Sequence, residues 1–174
     1  MPQILKPTLK KQPKQMNNYD EASKARFAAL FYLSKRMLTS FELRQKLMRK
    51  EYSPEICDST IAYMEELGYI NDKDYAELYT KNALENKKHG LMRIRQELQR
   101  RGIEQEVINE MLSSTETDNG EALKSLIKER SQRLDLSDRK QKDRLVGWLV
   151  RRGYRFDEIY SALRELELED IEFD

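Results

Sequence analysis

Few residues in this sequence could carry out covalent chemistry. His89 is the only histidine and Cys57 is the only cysteine, so a nucleophile with its base could come only from these two residues. The matching positions of the repeat described below hold Ile108 and Ile159, and we therefore interpret Cys57 as a small buried hydrophobe. His89 precedes Gly90 between two predicted helices, and we interpret it as a solvated or capping residue.

The carboxylates are numerous but form no recognisable catalytic or metal-binding motif. No HExxH, DxDxDG, GxxxxGKS/T or GxSxG pattern occurs. The segment Asn71-Asp72-Lys73-Asp74 is better explained as the acidic first turn of a helix, because the later ligands of a calcium loop are missing. We therefore predict no catalytic residue, no metal site and no cofactor, and a protein that binds a partner and is not an enzyme.

The residues that recur in a chemically useful pattern are arginines. Arg93 and Arg100 lie seven residues apart and share one flank of a predicted helix, and the same pair recurs 51 residues later as Arg144 and Arg151. We call these four residues the arginine stripe. Guanidinium groups bind phosphates and carboxylates in pairs of hydrogen bonds, and recurrence at a fixed period favours a partner that itself repeats over a merely solvated face. The residues predicted to bind the partner are Arg49, Arg93, Arg95, Arg100, Arg101, Arg144, Arg151 and Arg152.

The arginine stripe belongs to a longer repeat with a period of 51 residues. The segment ELRQKLMRKEYSPEI reappears as RIRQELQRRGIEQEV, and a second shift of 51 carries Ile94 to Leu145. Apolar residues recur at spacings of three and four with stops between them, so each unit is predicted to contain three helices. The fold class is therefore all-α, with three tandem three-helix repeats in an elongated, curved array whose neighbouring units share buried surface.

The apolar spacing and the capping residues place nine helices. We predict helices over 21–36, 40–50 and 54–67, then over 72–87, 91–101 and 104–113, and finally over 119–133, 138–152 and 156–167. Ser40, Asn71 and Ser137 are predicted N-caps, and Pro54 suits a first helical position after Ser53.

Glycine is expected to end two of the basic helices. Gly102 and Gly153 follow the last turn of such helices, where a left-handed residue is favoured, and Glu51 stands at the equivalent site of the first unit. We interpret Trp148 as a residue of the core or of a contact between units and not as a platform for a nucleic-acid base.

Charge and composition suggest how the chain is divided. We predict a flexible basic arm over 1–19, repeats over 20–69, 70–114 and 115–167, and an acidic tail over 168–174. The polar segment 113–120 is predicted to be a flexible joint before the third repeat. A single cysteine excludes an intrachain disulfide and fits a reducing cytoplasm, and no run of apolar residues is long enough for export or for membrane insertion. We expect a cytoplasmic monomer that does not bind membranes.

Three segments closely resemble the RecX family of bacterial recombination regulators. They are ELRQKL at 42–47, ELGYINDKDYAELY at 66–79 and HGLMRIRQELQRRGI at 89–103, and the similarity extends over roughly residues 22–166. Leu91 stands where the family often has proline, and Glu51 stands where glycine is frequent. The resemblance implies tandem three-helix units, no catalytic residues, and a protein that lodges in the groove of the RecA recombinase filament on DNA and suppresses ATP hydrolysis and strand exchange.

Two other functions fit the same residues. A helix-turn-helix-like DNA-binding regulator is the main alternative, because three-helix units with basic faces suit DNA phosphates, but a net charge of +1 disfavours it. A scaffold for another helical partner is the second alternative, and it leaves the periodic arginines unexplained. Weak direct binding to single- or double-stranded DNA is compatible with the RecA-directed function.

Overall fold

The computed structural model of the chain describes residues 20–134 and 136–172, and for 116–118 and 167–172 it describes the backbone alone. Over these residues the chain forms nine helices and no strand, which confirms an all-α fold of tandem three-helix repeats. The helices are α1 (Glu21–Leu33), α2 (Ser40–Met48), α3 (Pro54–Glu66), α4 (Asp72–Glu85), α5 (Leu91–Arg100), α6 (Gln105–Ser113), α7 (Glu116–Ser131), α8 (Arg139–Arg151) and α9 (Phe156–Glu172). The predicted basic arm at 1–19 lies outside the described residues. No helix among the described residues is long and apolar enough to cross a membrane.

Three predicted helix bounds are displaced by three residues or more, and the first is the end of α1, at Leu33 instead of 36. The segment 113–120, predicted as a flexible joint, is helical for most of its length, because α7 begins at Glu116 and only two residues separate it from α6. The Thr115 hydroxyl donates to the carbonyls of Met111 and Leu112 at 3.2 and 3.1 Å, which closes α6 without a longer loop. Helix α9 continues to Glu172, five residues beyond its predicted end at 167. Polar and acidic residues do not end a helix by themselves. Proline does, and so does a glycine at the helix end.

Of the three predicted N-caps, Asn71 is right and the other two are displaced by one residue, and α3 begins at Pro54 as predicted. Asn71 accepts hydrogen bonds from the backbone N–H groups of Lys73 and Asp74, and Ser53 caps α3 ahead of Pro54. Helices α2 and α8 are capped by Thr39 and Asp138 instead of Ser40 and Ser137.

Each repeat buries its own apolar core. The central side chains come from the second and third helices of the repeat and stand at positions related by 51 residues, as the sequence predicted. They are Leu43, Leu47, Cys57 and Ile61 in the first core, Ile94, Leu98, Ile108 and Leu112 in the second, and Leu145, Leu149, Ile159 and Leu163 in the third. Full burial of one such side chain contributes about 1.5–3 kcal/mol. Trp148 packs half-buried against the third core, as predicted, and the guanidinium groups of Arg130 and Arg152 lie 4.3 and 4.4 Å from its ring centroid.

The predicted left-handed glycines end α5 and α8. Gly102 has a φ of 77° and Gly153 a φ of 94°. Beyond each glycine a backbone N–H bonds back into the last turn, from Ile103 to the Leu98 carbonyl and from Tyr154 to the Leu149 carbonyl. This pattern satisfies carbonyl groups that the helix leaves unpaired. Glu51 adopts the same conformation with a φ of 67°, which costs a residue with a side chain about 1–2 kcal/mol.

The second helices of consecutive repeats meet end to end. At the start of α5, the backbone N–H of Gly90 donates to the Arg152 carbonyl at 2.9 Å, and that of Met92 donates to the Gly153 carbonyl at 3.2 Å. These are donors and acceptors that helix ends otherwise leave unpaired, and the positive end of one helix dipole faces the negative end of the other. The C-terminal end of α8 is thereby joined to the N-terminus of α5.

The joint between the first two repeats has the same plan with different chemistry. The Thr39 hydroxyl donates to the Arg101 carbonyl at 2.7 Å, where the later joint uses the Gly90 N–H. Arg101 forms an ion pair with Glu42 at 2.8 Å, and the Ser40 N–H and hydroxyl donate to Asp72 at 2.8 and 2.6 Å. Helices α2, α5 and α8 therefore form one row, and this row carries the arginine stripe.

Candidate partner-binding groove

A groove of about 730 Å³ lies over the joint between α5 and α8. One wall is formed by α5 and the other by the end of α8, the turn after it and the first residues of α9. We call this space the junction groove. Its lining includes Met92, Arg93, Glu97, Arg100, Arg151, Tyr154, Arg155, Phe156 and Asp157.

The junction groove brings together three of the four residues of the arginine stripe. Arg93 and Arg100 both line it from α5, as their seven-residue spacing predicted. Arg151 joins them because the end of α8 is bonded to the start of α5, and the Arg93 guanidinium donates to the Arg151 carbonyl at 3.3 Å. The three side chains therefore share one groove although they come from two repeats.

Two carboxylates orient two of the groove's guanidinium groups. Arg100 donates to Glu97 at 2.7 Å, which lowers the pKa of the Glu97 carboxyl and raises the pKa of Arg100. Arg155 donates to both oxygens of Asp157 at 3.0 and 2.9 Å. The groove is lined by four arginines and these two carboxylates, so its lining is net positive.

Apolar surface lies beside these charges. Phe156, the first residue of α9, is 60% exposed, and Met92 is 45% exposed. Tyr154 is buried, and its hydroxyl donates to the Lys88 carbonyl at 3.4 Å. Burial raises the pKa of Tyr154 to about 12, so this phenol remains protonated at neutral pH.

Arg101 and Arg152 are engaged in the joints. Arg101 is bound to Glu42, and its guanidinium group lies 5.6 and 5.4 Å from the ring centroids of Tyr75 and Tyr79. Arg152 donates to the carbonyls of Lys87 and Lys88 at 2.5 and 3.3 Å, across the later joint. Replacing either arginine would disturb the contact between repeats, so its predicted binding to a partner must be tested separately from that structural contact.

The other three predicted arginines lie outside the junction groove. Arg144 is exposed on α8, seven residues before Arg151, and Arg49 is exposed after the end of α2. Arg95 is half-buried and donates to the Asn109 side chain at 2.8 Å. It lines a smaller cavity of about 340 Å³ together with Asn119. The structure therefore groups Arg93, Arg100 and Arg151 in the junction groove and leaves these three outside it.

The two residues that could have carried nucleophilic chemistry are unsuited to it. Cys57 is fully buried, and burial raises the pKa of its thiol, which confirms its interpretation as a small hydrophobe. His89 is half-buried at the joint and not simply solvated, and among the described residues its Nδ1 has no hydrogen-bond partner. Burial has the largest effect on the pKa of His89 and lowers it. The positive charges of Arg93, Lys87 and Arg152 lower it further, so the ring is neutral at pH 7. Within the described part of the chain, no group of three or more His, Cys, Asp or Glu side chains could hold a metal ion.

Arg155 and Phe156 were missed by the sequence analysis. Both follow the turn after α8 and belong to no recurring pattern, because the matching residues of the second repeat are Glu104 and Gln105. The signal that could have found them is this departure from the repeat. An aromatic residue at the start of a helix, where the other two repeats have proline and glutamine, has no counterpart in the shared core.

Three family models match successive parts of the chain. They describe the first, second and third three-helix domains of RecX, and they match residues 25–64, 71–112 and 116–163. The chain belongs to the RecX family. A regulatory protein RecX from Trichlorobacter lovleyi is 33% identical over 146 residues, which are 82% of this chain and 95% of that protein. The regulatory protein RecX of Bacillus subtilis is 32% identical over 155 residues, which are 88% of this chain, and the chain spans only 59% of that longer RecX.

Solved RecX structures have the same fold. The crystal structure of RecX from Lactobacillus salivarius superimposes with a TM-score of 0.75 at 26% identity, covering 84% of this chain and 97% of that one. A second crystal structure, of a regulatory protein RecX, gives a TM-score of 0.73 at 22% identity over 83% of this chain and 74% of that one, and it supports the fold alone.

Proposed function

We propose that this chain is a non-enzymatic regulator that binds the RecA recombinase filament on DNA, occupies the groove of the filament and inhibits ATP hydrolysis and strand exchange, thereby modulating recombination and repair. Membership of the RecX family supports the class of function, since the relatives are named regulatory proteins. The observation that carries the proposal is the row of second helices, which presents the arginine stripe at recurring positions.

The row of helices suits a partner that repeats. Helix α5 has ten residues and is therefore about 15 Å long, so the pair Arg93 and Arg100 recurs about one helix length farther along as Arg144 and Arg151. Each repeat can make a weak contact with one protomer of a filament, and the second and third contacts form at high effective concentration. The filament is then bound in preference to a free protomer.

Inhibition follows from the position of the bound row. A protein lying in the groove of the filament hinders the entry of a second DNA strand and opposes the protomer movements that accompany ATP hydrolysis. The guanidinium groups of the arginine stripe bind acidic filament surface or DNA phosphates. The protein acts in the cytoplasm as a monomer. It binds the filament and contributes no catalytic group.

The helix-turn-helix-like alternative is disfavoured by the charge of the third helices. In a three-helix DNA-binding unit the third helix enters the major groove, where it faces phosphates on both sides. Helix α3 holds Glu55, Asp58, Glu65 and Glu66 without a basic residue, and α6 holds Glu106 and Glu110 without one. Carboxylates at this position repel the DNA backbone, so these units are poorly suited to reading duplex sequence.

The test is the DNA-dependent ATP hydrolysis of RecA, with the protein added before or after filament assembly. We expect hydrolysis to fall in at least one order of addition. Alanine at Arg93, Arg100, Arg144 and Arg151 should weaken binding to the filament while leaving the circular dichroism spectrum unchanged. Arg139→Ala is the matched control, because this α8 side chain is 96% exposed and lies outside the groove. No fall in hydrolysis would contradict the proposal, and unchanged affinity in the fourfold variant would remove the arginine stripe from the mechanism.

A further inference from the structure

The two joints of the row differ in the chemistry above them. At the first joint, the residues equivalent to Arg93 and Arg155 are Glu42 and Glu104, and Glu42 is already bound to Arg101. The residue equivalent to Phe156 is Gln105. The scaffold is therefore the same at both joints, whereas Arg93, Arg155 and Phe156 are replaced at the first joint by two glutamates and a glutamine. The exposed aromatic ring at the first joint, Phe41, comes instead from the start of α2 and lies against Gly102.

Phe156 contributes little to the stability of the fold. Its side chain is 60% exposed at the first residue of α9, and it is not part of the third core. An exposed phenylalanine contributes much less to the free energy of folding than a buried one. The ring lies instead in the lining of the junction groove, beside guanidinium groups that bind anions.

We propose that the junction groove binds single-stranded nucleic acid, with Phe156 stacked on an unpaired base and with Arg93, Arg100 and Arg151 bound to neighbouring phosphates. Aromatic rings beside a basic groove are the usual means by which proteins hold a single strand without reading its sequence. At about 730 Å³ the groove is in the size range of sites that hold a drug-sized ligand, which is also the scale of a nucleotide. The inference rests on the proposed function for its biological setting, in which the strand is the DNA inside the filament.

A single strand fits the groove better than a duplex or an acidic peptide. In a duplex the base faces are stacked and paired, so Phe156 would stay uncovered and only the arginines would bind. An acidic peptide would neutralise the arginines but would offer no flat partner for the ring. Each nucleotide of a single strand supplies both a phosphate and a flat base, which are the two groups that the groove can bind.

The test measures binding of a fluorescently labelled short oligothymidylate by anisotropy, without RecA, over a series of salt concentrations. Phe156→Gln introduces the residue of the first joint and should weaken binding about tenfold, the loss expected for one stacked base, while leaving the salt dependence unchanged. Tyr160→Ala is its control, because Tyr160 is an exposed aromatic residue one turn farther along α9 and outside the groove lining. It should bind as the native protein does.

The arginines give a second, independent signature. Arg151→Ala should reduce the slope of log affinity against log salt by roughly 0.7, the value expected for one lost phosphate contact to a single strand. Arg139→Ala should leave that slope unchanged, because it removes an equal charge outside the groove. Urea unfolding of each variant checks that it is folded.

Besides a failure to bind oligothymidylate, three results would overturn the inference. They are equal affinity for a duplex of the same length and salt, native affinity in Phe156→Gln, and equally tight binding of polyglutamate, which would assign the groove to acidic peptides. The measurement is also separate from the test of the proposed function. A protein that binds no oligothymidylate but still inhibits RecA refutes only this inference, whereas one that binds the strand without affecting RecA refutes only the proposed function.

Discussion

Replacing Gly90 by alanine tests the end-to-end joint between α5 and α8. Gly90 has φ and ψ of −73° and 160°, which any residue can adopt, so the backbone itself does not require glycine. At a site free of contacts this substitution would stabilise the protein by about 0.4–1 kcal/mol, because alanine restricts the unfolded chain. A destabilising effect would therefore report on the contact between the repeats.

The structure predicts a large effect of the opposite sign. A Cβ on Gly90 would collide with the carbonyl group of Gly153 and would lie 2.5 Å from the backbone nitrogen of Tyr154. Main-chain atoms cannot turn aside as a side chain does, so the helix ends must separate. Their separation loses the hydrogen bonds of Gly90 and Met92 across the joint. We expect a net destabilisation of about 2–4 kcal/mol from the lost hydrogen bonds and the overpacking.

Urea unfolding, followed by far-ultraviolet circular dichroism and by Trp148 fluorescence, measures this effect. Trp148 is the only tryptophan, and it lies beside Arg152 at the joint, so its emission reports on this region. Gly147→Ala is the control, because its Cβ would make only an ordinary contact, 3.5 Å from the Arg151 side chain. It should raise stability by about 0.5–1 kcal/mol. A Gly90→Ala protein as stable as the native one would refute the close joint.

Three further substitutions test other features of the fold. Glu51→Gly should stabilise the protein by about 1 kcal/mol in urea unfolding, because it relieves a left-handed conformation at a φ of 67°. His89 has a lowered pKa in the folded protein, so its protonation opposes folding, and stability should fall as pH drops below about 6.5, the unfolded value. A pH series of urea midpoints should be flatter for His89→Gln, and equal slopes would exclude His89 as the cause. Arg101→Met should lower stability by about 1–3 kcal/mol through loss of the Glu42 ion pair, whereas Arg49→Met, at an exposed site, should change the thermal midpoint little.

Local features of the fold were predictable from the sequence. The helices follow from apolar spacing, and the turns after α5 and α8 follow from Gly102 and Gly153, because both signals act over a few neighbouring residues. The shared flank of Arg93 and Arg100 is also local, since helix geometry alone determines it. The start of α7 and the end of α9 differ from prediction because polar, acidic composition does not by itself end a helix.

The candidate site depended on contacts between distant residues. Arg93 meets the Arg151 carbonyl across 58 positions of sequence, and Arg152 meets the Lys87 carbonyl across 65. No helical periodicity relates residues so far apart, so the sequence could not separate the arginines that hold the joints from those that line the groove, nor bring Phe156 beside them.

By itself, the sequence determined the three-helix repeat, its period and the sides of each helix, because hydrophobic periodicity and capping act within a single turn or two of the chain. The tertiary structure decided that the second helices join end to end and that one joint carries a basic, partly apolar groove. That outcome depends on how helix ends pair their remaining hydrogen-bonding groups across repeats, which only the packed chain determines.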